Sequence, residues 1–223
     1  MRFLLIYTDG IQESHHQFAA RLAEQTNREL TTLDILPDDL FNYCDENSVD
    51  MLLLSCRNRR RDLQRLLDAC RSLRIPYVFL TDTMRKLKDL HIVTAPVTLL
   101  EEDIHKTETC RHLGKYTGAE IVLLQAHDYG HKALQHTERI ATALEKAGIR
   151  FRIEKALKDS FKVNTEAAER QRELLSDLII LTASRDYGLD DILFGPQERH
   201  VIQKSQVPVL LLNPRGDLYS LCD

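Results

Sequence analysis

The chain closes two of its segments in the same way. Asp50-Met-Leu-Leu-Leu-Ser55 leads through a helical pattern to Ile75-Pro76-Tyr-Val-Phe-Leu-Thr81, and Asp177-Leu-Ile-Ile-Leu-Thr182 leads through another to Val207-Pro208-Val-Leu-Leu-Leu-Asn213. A recurring strand–helix–Pro–strand ending predicts two copies of one α/β unit, so the fold has to be read as a pair. The apolar runs are nearly continuous, the pattern of strands buried on both faces of a parallel sheet.

Each copy can be followed outward from its ending. The first opens with a strand over Arg2–Thr8 and a helix over Ser14–Gln25, where Ser14-His-His-Gln17 reads as a capping box. His15 and His16, adjacent in its first turn, read as exposed. A second strand is expected over Glu29–Leu36, and Leu63, Leu66, Leu67, Cys70 and Leu73 stripe one face of the next helix. The second copy has strands at His91–Ala95 and Glu120–Gln125, with Thr98-Leu-Leu-Glu101 as a helix cap between them. From Gln125 to Asp177 it carries a helix through Thr137–Leu144, a strand near Phe151–Leu157 and a helix around Glu166–Leu175. The matching stretch of the first copy, Asp34 to Asp50, is far shorter, as if a helix–strand–helix piece were missing. The expected organisation is a first unit over 1–81, a charged linker over 82–90, a complete second unit over 91–214 and a tail over 215–223. The expected class is α/β: two open, mainly parallel α/β units in tandem, with helices on both faces.

The remaining bulk properties narrow the partners. Of the 223 residues 43% are apolar, enough for a core, and no apolar run approaches the length of a bilayer span. Arg2-Phe-Leu-Leu-Ile-Tyr7 is too short for a secretory core and reads as a strand, so the expected location is the cytoplasm. A net charge of -4 argues against broad nucleic-acid binding. Five scattered cysteines without C-x-x-C spacing suit reduced thiols rather than a disulfide frame or a zinc site.

Leu178-Ile-Ile-Leu-Thr-Ala-Ser184-Arg-Asp-Tyr-Gly188-Leu-Asp-Asp-Ile-Leu-Phe-Gly195, followed by Val201-Ile202 and Val207-Pro208, resembles the C-terminal signature of universal stress proteins. Phe3-Leu-Leu-Ile-Tyr-Thr-Asp9-Gly10 looks like the family's opening strand. The resemblance covers nearly the whole chain as a tandem pair with an abbreviated first copy. It implies pairing between the last strands of the copies, Tyr77–Leu80 with Val209–Leu212, as an intrachain pseudo-dimer. It also implies a role in stress response as a binding or regulatory protein.

Members of the family that bind ATP carry Gly-x-x-Gly and, further on, Gly-Ser or Gly-Thr, so that backbone N–H groups close on the phosphates. That motif falls here on Thr182, Arg185, Gly195 and Pro196, of which only Gly195 is kept. Ser184 lies between the first two positions, and Gly188 matches a common family glycine. Ala95-Pro96-Val97 stands where Asp-Gly would close the opening strand of copy two. The first copy keeps Asp9 and Gly10 but has Ser55-Cys-Arg57-Asn-Arg59-Arg60-Arg61-Asp62 in place of a glycine loop. These departures predict weak or absent ATP binding, with ATP or AMP as the cofactors to test and none assigned.

Two readings of the arginines stand. They form a solvated basic turn, or a site in which guanidinium forks hold a nucleotide or phosphorylated small molecule with Asp9 and Gly10. Cys56 reads as a buried thiol or as one activated by neighbouring arginines. His127, His131 and His136 read as surface or loop residues rather than metal ligands. No Gly-x-Ser-x-Gly, Walker or His-Glu-x-x-His motif is present. The expectation is a non-enzyme, with slow ATP hydrolysis as the competing reading, a protein partner to be found, and further dimerisation left open.

Overall fold

The computed structural model describes residues 2–84, 87–184 and 196–214. In chain order the strands are β1 (Arg2–Tyr7), β2 (Glu29–Leu33), β3 (Val49–Cys56), β4 (Tyr77–Thr81), β5 (Ile92–Val97), β6 (Glu120–Gln125), β7 (Phe151–Lys155), β8 (Leu178–Thr182) and β9 (Val209–Leu212). The helices are α1 (Glu13–Gln25), α2 (Leu40–Glu46), α3 (Arg60–Cys70), α4 (Lys106–Thr117), α5 (Lys132–Lys146), α6 (Val163–Glu169) and α7 (Gln197–Lys204). A 3-10 turn, Glu101–His105, runs directly into α4.

All described strands join one sheet in the order β2-β1-β3-β4-β9-β8-β5-β6-β7. Every neighbouring pair is parallel except β4 and β9, which meet antiparallel with Tyr77 opposite Leu211, Val78 opposite Leu210 and Phe79 opposite Val209. The pairing expected between Tyr77–Leu80 and Val209–Leu212 is therefore present. Outward from this seam run β4, β3, β1, β2 on one side and β9, β8, β5, β6, β7 on the other.

Period-two alternation sends side chains to two helical layers. Phe3, Leu5 and Tyr7 of β1 pack with Phe18 and Leu22 of α1, Leu113 of α4 and Ile140 and Leu144 of α5. Leu4 and Ile6 of the same strand belong to the opposite layer, with α2, α3, α6 and α7. Both faces are covered, which explains strands without polar alternation.

Several expected boundaries moved for local reasons. Helix α1 starts at Glu13, with Gln12 as its N-cap and no side-chain cap, so Ser14 forms no capping box; Gln17 instead donates to Glu13 at 2.9 Å. Thr98 caps no helix turn at Glu101, because its hydroxyl accepts from the Leu100 amide at 3.1 Å while its own amide donates to Asp103 at 2.6 Å. Helix α2 was not expected: the stretch between β2 and β3 keeps a helix, capped by Asp39, which accepts from the Asn42 amide at 3.0 Å. Seven residues are too few for a periodic signal. Helix α6 spans Val163–Glu169, earlier than the Glu166–Leu175 expected.

The two sides are also tied by side chains. Asn213, just past β9, donates its amide to the carbonyls of Cys70 (2.7 Å), Arg71 (3.1 Å) and Leu73 (2.9 Å) at the end of α3, and accepts from the Tyr77 hydroxyl at 2.8 Å. Terminal helix carbonyls need such donors. Asn213→Ala is expected to lower stability in urea unfolding by about 1–3 kcal/mol, the cost of leaving partly buried polar groups unmet, and Asn213→Asp, which lacks the donors, by at least as much.

Candidate functional site

In an open α/β sheet, ligands sit beyond the C-terminal strand ends where the strand order reverses. The order here reverses twice, between β1 and β3 and between β5 and β8. These two crevices hold most of the candidate residues.

The first crevice is built where β1 and β3 end. Gly10 follows β1 at φ 81, a left-handed conformation that glycine adopts freely. A Cβ there would meet nothing within 4 Å, so this glycine serves the turn rather than a close approach. The turn places α1 over the strand ends. His15, expected on the surface, is 1% exposed, and its Nδ1 lies 2.7 Å from the Ser55 hydroxyl of β3. Burial lowers its pKa, opposed by a hydrogen bond to the Thr81 backbone and the charge of Asp82. His16 is half-buried, with Nδ1 2.7 Å from the Tyr7 hydroxyl. Burial, with the nearby charges of Glu13 and Asp34, raises the pKa of Tyr7. Two adjacent residues of one turn point to different strands, which is why a face argument from sequence missed both.

Across the mouth of this crevice Arg57 forms an ion pair with Asp9. Asn58 anchors the loop after β3: its amide donates to Asp82 at 2.8 Å, and its side-chain nitrogen reaches Thr83 at 2.9 Å and the Gln203 carbonyl of α7 at 3.0 Å. Arg59 is the N-cap residue of α3 and Arg60 its first residue; both are exposed, and neither forms an ion pair among the described residues. Cys56 is fully buried, and burial, with the charges of Asp82 and Asp62, pushes its thiol up to about 12. That is opposite to the activation that neighbouring arginines would give.

The second crevice owes its shape to Pro96. Strand β5 pairs with β8 only through Val93 and Thr94. Pro96 has no N–H to continue that ladder, and its carbonyl is taken instead by Lys106 Nζ at 2.5 Å. Lys106 is 1% exposed and also reaches Asp103 Oδ1 at 2.6 Å. Asp103 accepts further bonds from the Thr182 hydroxyl at 2.7 Å and the Thr98 amide at 2.6 Å. Burial alone would raise the Asp103 pKa. The Lys106 ammonium, with the hydrogen bonds from Lys106, Thr98 and Thr182, overrides it and holds the carboxyl below the ordinary value.

Next to this network, the Ser184 amide donates to the carboxylate of Glu198, in the first turn of α7. Glu198 is 5% exposed, and its other oxygen has no partner among the described residues. A carboxylate is favoured at a helix N-terminus by the same dipole that favours phosphate. An acid of the chain itself thus takes the Ser184 amide.

Of the residues singled out in the sequence, Asp9, Gly10 and Arg57 come together in the first crevice. Ser184 stands in the second, and Gly188, Gly195 and Arg185 lie outside the described residues. Sequence reasoning missed Asp103, Lys106 and Glu198. An Asp–Lys pair three apart reads as an ordinary surface pair, and only the Pro196-Gln-Glu198 helix start hinted at Glu198. His127 and His131 are exposed, but His136, also expected at the surface, is 8% exposed with Nδ1 3.1 Å from the Thr98 carbonyl. No cluster of three metal-ligating side chains occurs among the described residues, and no described helix is long and apolar enough to cross a membrane.

Among solved structures, a universal stress protein from Archaeoglobus fulgidus DSM 4304 superposes on this chain with a TM-score of 0.64 at 12% identity, covering 97% of this chain and 88% of that one. The chain has the universal-stress-protein fold. A functionally unknown protein from Pseudomonas aeruginosa PAO1 matches with a TM-score of 0.58 at 11% identity, covering 96% of this chain and 93% of its own. A protein from Pseudomonas aeruginosa UCBPP-PA14, provisionally assigned to the universal stress proteins, matches with a TM-score of 0.58 at 12% identity, covering 96% and 94%. No protein-family model and no curated protein matches the sequence. Within this fold the described residues place a buried ion pair, Lys106 with Asp103, and the buried Glu198 carboxylate beside the strand ends of the second crevice.

Lys106→Met removes the cation and leaves the Asp103 carboxylate buried without charge compensation. The expected loss is about 3–5 kcal/mol in urea unfolding. The double variant Lys106→Met/Asp103→Leu is expected to lose less than Lys106→Met alone, because apolar side chains replace both charges.

Proposed function

We propose that the chain is a tandem universal-stress-type protein that acts in stress response by binding or regulating a partner, without catalysis. The reading takes 1–81 and 91–214 as two units, joined by 82–90, that pair within one chain as a pseudo-dimer. It is supported by the matching strand orders outward from the β4–β9 seam, β4-β3-β1-β2 and β9-β8-β5-β6. On this reading the first unit lacks a counterpart of β7 and keeps α2 in its place.

One observation carries the functional part: polar groups at both crevices are already engaged within the chain. Glu198 occupies the Ser184 amide, Lys106 and Asp103 satisfy one another beside Pro96, and Arg57 is paired with Asp9. A nucleotide phosphate at the second crevice would have to displace a buried carboxylate and would meet its repulsion. Catalysis finds little support in the first crevice, since His15 and Ser55 are each 1% exposed and the hydroxyl beside His16 is the Tyr7 phenol, whose pKa is raised by burial.

A second reading has a specific basis in Arg59 and Arg60, which are exposed beside the Asp9–Arg57 pair. Two guanidinium groups of this kind suit a phosphate, so a nucleotide or phosphorylated small molecule in the first crevice is the alternative.

Thermal unfolding with millimolar Mg-ATP, AMP or inorganic phosphate separates the two. A ligand at a hundredfold excess over its Kd adds about 2.7 kcal/mol, well above detection. No shift and no ATP turnover are expected for the unmodified protein. A shift that disappears in Arg59→Ala/Arg60→Ala would establish the alternative, and turnover abolished by Asp9→Asn would overturn the non-catalytic reading.

A further inference from the structure

A cavity of about 640 Å³ opens at the other end of the sheet, where β8 and β9 begin. Its size falls within the range of small-molecule pockets. Lys88, Gln171, Arg172, Leu175, Asp177 and Val207 supply the lining that matters. Lys88 comes from the connection between the two sides of the sheet, and the others come from the turn after α6 and from the residues leading into β8 and β9.

The polar groups of this cavity are unevenly spent. Asp177 is 4% exposed and fully engaged: one oxygen accepts from the His91 and Ile92 amides at 2.9 and 3.0 Å, and the other meets Lys88 Nζ at 3.0 Å. Gln171 is 7% exposed, and its oxygen accepts from the Gln206 amide at 2.9 Å, while the Ser205 hydroxyl donates to the Val207 carbonyl at 2.6 Å. Because a backbone N–H fixes which atom is the oxygen, Nε2 is left as a donor, and it has no acceptor among the described residues. Arg172 donates one Nη2–H to Gln206 Oε1 at 2.9 Å, and its other N–H groups have no partner among the described residues. Two cations against one carboxylate leave one positive charge uncompensated.

The apolar part of the lining is equally specific. Leu175 holds φ 57 and is 65% exposed. That left-handed turn is closed by the Ser176 amide, which donates to the Gln171 carbonyl at 2.8 Å, and it leaves the Leu175 side chain exposed. Leu175 and Val207 supply the apolar part of the lining.

We propose that this cavity binds a small amphipathic monoanion, a carboxylate carrying an aliphatic tail. The carboxylate lies among Lys88 Nζ, the free Arg172 N–H groups and Gln171 Nε2, and the tail lies against Leu175 and Val207. Guanidinium and amide donors match a planar carboxylate. A phosphate dianion would bring more negative charge than the lining can balance.

Titration with sodium octanoate, followed by two-dimensional amide NMR and by calorimetry, tests this directly. Saturable shifts are expected at Leu175, Ser176 and Val207, with affinity at least fivefold weaker in Arg172→Ala and in Lys88→Ala. Lys88 is 57% exposed and Arg172 is exposed, so both variants should fold, and their unchanged spectra away from the cavity would verify it. Octan-1-ol, with the same tail and no charge, is expected not to saturate. Absence of saturable octanoate binding, equal affinity in the two variants, equal binding of octan-1-ol, or tighter binding of octyl phosphate would each overturn the proposal.

Discussion

The antiparallel meeting of β4 and β9 is the contact on which the rest of this structure depends. Without it each side of the sheet would end in an exposed apolar strand edge, Tyr77–Thr81 on one side and Val209–Leu212 on the other. Such edges invite pairing with other chains. With it, one continuous sheet carries two buried layers, and α3 and α7 come close enough for Asn58 to reach the Gln203 carbonyl and for Arg199 to reach Gln64 at 2.9 Å. Asn213 adds a second tie by closing the end of α3. The seam therefore sets the position of both crevices relative to one another as well as the stability of the sheet.

The crevices differ in what fills them, and the difference can be followed to single residues. At β5, one proline ends the pairing with β8 and frees a carbonyl, and a buried ammonium answers it. That ammonium needs an anion, which Asp103 provides, and Asp103 draws in the Thr98 amide and the Thr182 hydroxyl. A buried ion pair of this kind is stabilising only when its remaining lone pairs and protons are met, and here most of them are. At β1 no proline intervenes. The first crevice keeps its Asp-Gly turn and closes with an exposed-side ion pair, Asp9 with Arg57, which is weaker and more readily exchanged for a ligand.

Much of the fold was legible because it rests on patterns that repeat. An apolar run marked β8 and the middle of β3, which extends to Val49 and Cys56, likeness to the first copy marked β6, and the Pro76 and Pro208 endings marked the two strands that meet at the seam. Local polar chemistry was less legible. Ser14 and Thr98 carry the residue types of capping boxes, but tertiary partners decided otherwise: Asp103 claims the Thr98 amide, and α1 begins at Glu13. Helix α2 was too short to show a period. His15 and His16 could not be placed without knowing that Ser55 and Tyr7 stand beneath them. That Asp9, Gly10 and Arg57 stand near one another could be expected because a strand end and a basic run were both visible. Glu198 and Lys106 were not, because a charged side chain that turns inward looks the same in sequence as one that faces water.

Carboxylates of the chain itself hold two amides of the second crevice, Glu198 that of Ser184 and Asp103 that of Thr98. Amide NMR during titration with Mg-ATP reads those groups one by one. The Ser184 and Thr98 amide resonances are expected to stay in place up to millimolar nucleotide, because Glu198 and Asp103 hold them. Saturable displacement of both resonances, at a Kd well below a millimolar, would contradict it.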